Sequence, residues 1–224
     1  MTIHYSVAIP AWNAARTIQE TITSVLGQTQ PPDKVVLVDD GSTDDTAALA
    51  AAVSPKVEVI RQVNTGVGAA TTRAVKACPS PVVALVDSDD LWQPDKMERQ
   101  MARLVRSSVP TIVTCRQQLF RHGSQDHSTG PVRGGAIRSS MIMYRDLFSR
   151  VGDIIDPPGG RGDMVDWLAR AREIGCTIDE LTEPLVLRRV IEGSLSYGRQ
   201  TDKDRGYLYV AMRSIQRRRE ASSK

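Results

Sequence analysis

The sequence predicts an α/β domain in which a mostly parallel, Rossmann-like sheet carries helices on both faces. Three observations lead there. From Tyr5 to Ser107, short apolar runs alternate with segments of helical period, the pattern of strands joined by crossover helices. The run Val82–Val86 is continuously apolar, as a strand buried on both faces must be. Asn13, the Asp39–Asp40 pair, Gly66 and Asp87 each fall just past one of these runs. Ligands of such sheets bind outside the carboxyl ends of the strands, and core packing alone would not place polar residues after every strand.

The elements follow in order. Tyr5–Pro10 reads as a strand ended by proline, and residues Ala14 to Gln28 as a helix with Ile18, Ile22, Val25 and Leu26 on one face. Lys34–Asp39 is the second strand. It runs into the polar turn Asp39–Asp45, which caps a helix over Thr46–Val53. Val57–Arg61 is the third strand, and Asn64–Gly68 turns into a third helix. The strand opened by Pro81 follows, then a helix over Pro94–Ser107 with Met97, Met101, Leu104 and Val105 inward. Thr111–Phe120 reads as a strand, residues 121–135 as an exposed loop, and Ser139–Tyr144 with Arg145–Val151 as a strand and short helix. A loop from Pro157 to Gly162 delivers Asp163 to the start of a helix with Val165, Leu168 and Ala169 inward. Leu185–Ile191 is the last strand. A terminal helix over Tyr207–Arg219 places Leu208, Met212 and Ile215 on one face.

Composition sets bounds. A chain of 224 residues with 41% hydrophobic content can bury a sizeable core, and 25% charged residues suit an aqueous surface. A net charge of +3 is too small to imply nucleic acid. Cys78, Cys115 and Cys176 lack metal-ligand spacing and are odd in number, which points to reduced thiols and a cytoplasmic setting. No secretory signal and no membrane-spanning run is evident.

The chemistry concentrates in Asp87-Ser88-Asp89-Asp90. Residues two apart in an extended segment point the same way, so Asp87 and Asp89 can converge on one point. Two such anions repel, and a hard divalent ion carrying phosphate oxygens would relieve them. The bland alternative is a solvated acidic turn before a helix. Asp39-Asp40-Gly41-Ser42 reads equally as a turn with a helix cap. Gly66-x-Gly68 has a rival reading as a dinucleotide fingerprint with Asp87 as the ribose acid. That rival has Thr71 at the third glycine and leaves Asp39, Asp40, Asp89 and Asp90 without a role.

Val7–Asn13, Val38–Asp44, Asn64-x-Gly66 and Asp87–Asp90, in that order and spacing, resemble the nucleotide-sugar-binding half of glycosyltransferase family 2. The resemblance implies a GT-A fold and an inverting transferase that uses a nucleotide-diphospho-sugar with Mn²⁺ or Mg²⁺. By it, Pro10, Ala11, Asn13, Asp39, Asp40, Gly66, Arg73, Asp87 and Ser88 are candidate donor-binding residues. Asp87, Asp89 and Asp90 become the candidate metal ligands. The family often has arginine where this chain has Thr71, with Arg73 two residues on. Its acidic base segment commonly reads Gly-Glu-Asp; here it is Gly162-Asp163-Met164, which makes Asp163 the candidate base, with Asp166 beside it. Glu192 stands where the family often has a metal-reaching histidine on a flexible loop.

The resemblance divides the chain into a donor half (1–107), an acceptor half (108–198) and a basic helical tail (199–224). Arg217-Arg218-Arg219 suggest contact of this tail with an anionic membrane surface or a partner, a solvated helix being the alternative. His122, His127 and Asp126 form a weaker metal candidate. Three other functions stay open: a Rossmann-type oxidoreductase; an Asp-nucleophile phosphatase built on Asp87, which lacks the expected Thr or Val at Leu91; and a degenerate family member acting as a binding or scaffold subunit, kept open by Met164 and Glu192.

Overall fold

The computed structural model describes residues 4–192 and 201–222. Its first half runs β1 (Tyr5–Ala11), α1 (Ile18–Leu26), β2 (Lys34–Asp39), α2 (Thr46–Val53), β3 (Val57–Arg61), α3 (Val67–Ala77) and β4 (Val82–Leu85). Then come β5 (Leu91–Trp92), α4 (Lys96–Leu104), β6 (Thr111–Arg121), β7 (Val132–Arg133), a 3-10 turn at Arg138–Ser140, β8 (Ile142–Tyr144) and α5 (Arg145–Val151). The chain closes with α6 (Asp163–Glu173), β9 (Thr177–Val190) and α7 (Thr201–Ser222).

The strands form one sheet in the order β3-β2-β1-β4-β8-β6-β9-β5, with β7 paired to β6. β1 is parallel to both β2 and β4, β2 to β3, and β6 to β9. β8 runs antiparallel between β4 and β6, which restores β6 to the direction of β4. The carboxyl ends of β1, β2, β3, β4, β6 and β9 therefore share one edge of the sheet.

Period-two alternation divides the core between the two faces. Val7, Ile9, Val35, Leu37, Val82 and Ala84 pack with Ile18, Ile22 and Val25 of α1 and Met97 and Met101 of α4. Ala8, Val36, Val38, Val83 and Leu85 face Ala70 and Ala74 of α3, Phe148 of α5 and Trp167 of α6. Trp167 stacks on Phe148 with centroids 5.1 Å apart. Truncating such a buried aromatic costs about 3–5 kcal/mol.

Several boundaries differ from the sequence expectation. α1 starts at Ile18, not Ala14; the amides of Ala14 and Ala15 donate to Thr46 Oγ1 at the start of α2 and to Asp44 Oδ2. α4 starts at Lys96 and leaves Val105 exposed. α6 buries Met164, Trp167, Leu168 and Ala171, whereas Val165 is 51% exposed; the inward stripe is set one residue earlier than Val165 suggested. β9 starts eight residues before Leu185. Its first stretch is polar and pairs through charges instead of burial, as in Asp179 with Arg103 at 2.5 Å. β5 was not foreseen, since two residues carry no periodicity.

α7 lies along α6. Arg217 turns inward to Asp166 at 2.9 Å and Glu173 at 2.9 Å, and Val210 is buried. Leu208, Met212 and Ile215 do share a face, but that face is exposed. No helix among the described residues is long and apolar enough to cross a membrane.

Candidate active site

At the carboxyl ends of β1 and β2, polar side chains lock loop to loop. Pro10 and Ala11 sit within β1 in register with Val38 and Asp39. Asn13 adopts φ +48°, its amide donates to Ser42 Oγ at 2.9 Å, and its Oδ1 accepts from the Thr43 amide at 2.9 Å. A short amide side chain tolerates this left-handed geometry. Trp12 beside it is 58% exposed and lies free at the mouth of the site. Asp39 is buried, accepts from the Ser42 amide at 3.0 Å and pairs with Arg61 at 3.2 Å. Asp40 accepts from the Thr65 amide (2.9 Å) and Gln62 Nε2 (2.7 Å) on Oδ1, and from the Gly66 amide (2.9 Å) on Oδ2. Oδ1 is thereby saturated, while Oδ2 keeps one lone pair free. Arg73 is exposed and donates to Gln62 Oε1 at 3.1 Å, so it braces the Asp40 loop from outside.

Asp87–Asp90 form a tight turn closed by the Asp90 amide on Asp87 O at 3.3 Å. Thr17 and Thr21 of α1 both donate to the carbonyl of Ser88, at 2.9 and 3.1 Å. The 3-10 turn holds the other side: Ser139 Oγ accepts from the Asp87 amide and donates to Asp90 Oδ2 at 2.5 Å. Asp90 Oδ1 accepts from the Arg189 amide at 3.0 Å. Asp90 is 3% exposed, and both its oxygens are committed to protein donors. Burial first, then the charges of Asp89 and Asp87, push its carboxyl well above the usual range. The expectation that Asp90 is a metal ligand meets this geometry: its side chain points into the protein and joins β9 to the turn.

Asp89 is different. Among the described residues no side chain donates a hydrogen bond to its carboxylate, which lies half-buried beside Asp87. Burial and then the Asp87 charge push it up to about 6, with Arg189 and Arg188 pulling the other way. A hard oxygen donor that no described side chain hydrogen-bonds, and that a neighbouring anion repels, suits a divalent cation. No group of three or more His, Cys, Asp or Glu side chains converges among the described residues. Mg²⁺-type sites commonly use one or two carboxylates and take the remaining oxygens from phosphate and water. The donor set at Asp89 fits that type of ion.

Asp87 and Asp163 are brought together by a residue the sequence did not single out. Arg138, 7% exposed, donates from Nη1 to Asp87 Oδ1 at 2.6 Å and from Nη2 to Asp163 Oδ2. Burial works against the guanidinium charge, and the Asp87 and Asp163 carboxylates more than offset it, so the net shift is upward. Asp163 stands in the first turn of α6 after Gly162, which has φ +101°. Burial raises the Asp163 carboxyl, Arg138 pulls it down, and Asp87 and Asp156 add to the rise. The net effect is upward, the direction a general base needs. Met164 turns into the core.

Asp166 is not part of this group. It is 2% exposed, with Oδ2 on Arg170 (2.8 Å) and Oδ1 on Arg217 (2.9 Å). Asp166 thus pairs with Arg170 within α6 and, through Arg217, fastens α7 to α6.

Asp156 was also missed. Its carboxylate accepts from the amides of Gly68 (2.7 Å) and Ala69 (2.9 Å), filling the start of α3. A Cβ on Gly66 would lie 2.6 Å from Asp156 Cγ, so glycine there serves close approach as well as its positive φ. With Asp156 on these amides, the start of α3 is not open to a pyrophosphate, which weighs against the dinucleotide reading.

His122 sits between Arg16 (2.9 Å) and Arg189 (3.4 Å), and His127 lies against Phe120. Neither histidine joins a metal cluster among the described residues. Glu192 is exposed just past β9, and residues Gly193 to Gln200, where a flexible loop was expected, lie outside the described residues.

Comparison with known proteins agrees with this arrangement. Residues 6–156 match the model described as Glycosyl transferase family 2. The chain is 34% identical over 205 residues to the putative teichuronic acid biosynthesis glycosyltransferase TuaG of Bacillus subtilis, covering 85% of this chain and 81% of that protein. It is 34% identical over 123 residues to chondroitin synthase of Escherichia coli. It spans only 18% of that protein, and 35% of the uncharacterized glycosyltransferase alr2836 of Nostoc, to which it is 40% identical over 112 residues. Among solved structures, Staphylococcus aureus TarS 1–349 in complex with UDP-GlcNAc aligns at TM-score 0.73 and 19% identity, over 94% of this chain and 66% of that one. Mannosyltransferase PcManGT from Pyrobaculum calidifontis, in complex with GDP-Man and Mn²⁺, aligns at 0.72 and 16%, over 96% and 65%. The fold is that of the GT-A glycosyltransferases. The chain belongs to glycosyl transferase family 2.

Proposed function

We propose that the protein is an inverting glycosyltransferase that moves a sugar from a nucleotide-diphospho-sugar to an acceptor hydroxyl with the help of a divalent cation. The observation that carries the reading is the meeting of Asp87 and Asp163 on Arg138 at the carboxyl edge of the sheet, with Asp89 beside Asp87 and without a side-chain donor among the described residues. In this reading the ends of β1 and β2, with the Asp40-anchored loop, form the nucleobase side. Asp87 faces the ribose, and Asp89 is the protein's ligand for Mg²⁺ or Mn²⁺. The cation, when bound, neutralises charge on the leaving diphosphate as a Lewis acid. Asp163 takes the proton from the acceptor hydroxyl as its oxygen attacks the anomeric carbon. Attack opposite the leaving group, in one displacement, inverts that carbon.

The neighbours bound to UDP-GlcNAc, or to GDP-Man with Mn²⁺, support a nucleotide-sugar donor. Incubation with a panel of UDP- and GDP-sugars, with Mn²⁺ and with EDTA, tests the reading. Cation-dependent release of nucleotide diphosphate from one donor is expected, and no release from any donor would count against it. Peripheral contact through α7 is a secondary reading, favoured by the outward Leu208, Met212 and Ile215. Cosedimentation with anionic and with neutral vesicles tests it.

A further inference from the structure

Arg138 is an unusual residue to find inside a folded chain. Its guanidinium is buried, its two terminal nitrogens go to carboxylates from distant parts of the chain, and its Nε has no hydrogen-bond partner among the described residues. A buried donor left unsatisfied is costly, and a buried ion pair is weak evidence of a stabilising role. The neighbouring residues fix where it sits. Ser139 and Ser140 complete the 3-10 turn, Ser139 is tied to Asp87 and Asp90, and the Ser140 carbonyl accepts from Gln100. The backbone at residue 138 is thus set by the same contacts that set the acidic turn.

We propose that Arg138 is the positioning residue that couples the donor side of the site to the acceptor side, by gripping one oxygen of Asp163 while its other arm is fixed on Asp87. The inference rests on the proposed function for its catalytic meaning, but the coupling is a property of the unliganded protein. Arg138 pulls the Asp163 carboxyl down against burial and the charges of Asp87 and Asp156, so removing Arg138 would raise it further. Arg138 takes Oδ2 of Asp163, and among the described residues no side chain donates to its Oδ1. Asp87 opposes the pull of Arg138 by sharing the guanidinium. The charged groups acting on Asp163 are therefore Arg138, Asp87 and Asp156.

The sharing gives the two neighbours opposite signs, which a structural brace would not do. The ¹³C carboxyl signal of Asp163, assigned by comparison with Asp163→Asn, is titrated in the unliganded protein. Arg138→Gln is expected to raise its midpoint by about one unit or more, Asp87→Asn to lower it, and Arg138→Lys to fall between wild type and Arg138→Gln. A midpoint unchanged in folded Arg138→Gln overturns the proposal. If that variant does not fold, an unmoved midpoint in both Arg138→Lys and Asp87→Asn overturns it equally.

A second readout uses Mn²⁺-dependent hydrolysis of UDP-GlcNAc, or of GDP-mannose, as the probe reaction. The acid limb of kcat should move to higher pH in Arg138→Gln, with KM for the probe within about threefold of wild type. A uniform loss at every pH would overturn the proposal. An Asp163→Asn protein with wild-type rate would instead refute the base assignment, and the titration would still decide the coupling.

Discussion

Ser139 donates to Asp90 Oδ2 at 2.5 Å, and this bond makes one of the three clustered carboxylates part of the framework. Asp90 also receives the Arg189 amide, so an amide side chain at this place would turn an N–H toward a donor. Asp90→Asn is therefore expected to lower stability by about 1–3 kcal/mol, whereas Asp89→Asn leaves the melting temperature near wild type. Thermal unfolding of the two variants checks the contrast.

Asp89→Asn should act on binding. Calorimetry with UDP or GDP, first in EDTA and then in Mn²⁺, is expected to show a cation-dependent gain for wild type that this variant lacks. Equal affinity with and without Mn²⁺ in wild type would remove Asp89 from the metal role.

Asp163 and Asp166 should separate cleanly. Asp163→Asn is expected to retain nucleotide binding while transfer falls by about 10²–10⁴-fold, the usual worth of a positioned base. Asp166→Ala leaves Arg170 and Arg217 facing each other. Its cost is about 1–3 kcal/mol, below that of a fully buried pair because Arg217 is partly open to water. Rates measured beside unfolding curves distinguish the two. A silent Asp163→Asn with an inactive but folded Asp166 variant would shift the base along the helix.

Lys96 supplies a pH test remote from the chemistry. It is fully buried at the start of α4, its ammonium 3.9 Å from the centroid of the Trp92 ring, and burial pushes it down to about 8. Because the folded chain gives up this proton more readily than the unfolded one, the penalty is present in full below pH 8. It fades as pH rises toward 10.5, the ordinary lysine value. Lys96→Met should thus raise stability at pH 7 by about 1–3 kcal/mol, the Trp92 contact offsetting part of the cost of burial. Denaturant melts from pH 7 to 10 should show wild type gaining on the variant as pH rises.

Asp40→Ala should release the loop from Gln62 to Gly66, which its carboxylate holds through three donors. Weakened nucleotide binding, with a stability loss of about 1–3 kcal/mol, is expected. A nucleotide Kd equal to that of wild type would place the base elsewhere.

Much of the first half of the chain was legible from the residues. Continuous apolar runs ending in Asn13, Asp39 and Asp87 can satisfy both burial and alternation only as strands of a doubly covered sheet, and the polar ends then fall on one edge. The same local rules failed where pairing is polar or short. The first stretch of β9 carries Asp179 and Glu180 and is held by β6 and by arginines from elsewhere, and the two residues of β5 have no period to read. In α6 one register error exchanged Val165 for Met164, because a single turn flanked by glycine and proline does not fix the phase of a helix.

What sequence by itself determined was which segments bury and which residue types stand at their ends, since both follow from interactions within a few positions of the chain. It did not show which partners set Asp87, Asp89 and Asp90 apart, or Asp163 from Asp166, because the surroundings of a carboxylate are set by the donors that reach it. Those donors come from far along the chain: Ser139 and Arg189 for Asp90, Arg138 for Asp87 and Asp163, Arg217 for Asp166. Arg138 itself gave no signal, being one arginine among many until the crossing of β8 between β4 and β6 brought its turn against the acidic loop. Only the tertiary structure decides such matters, because charge and hydrogen bonding act through distance in space, and a sequence records distance along the chain.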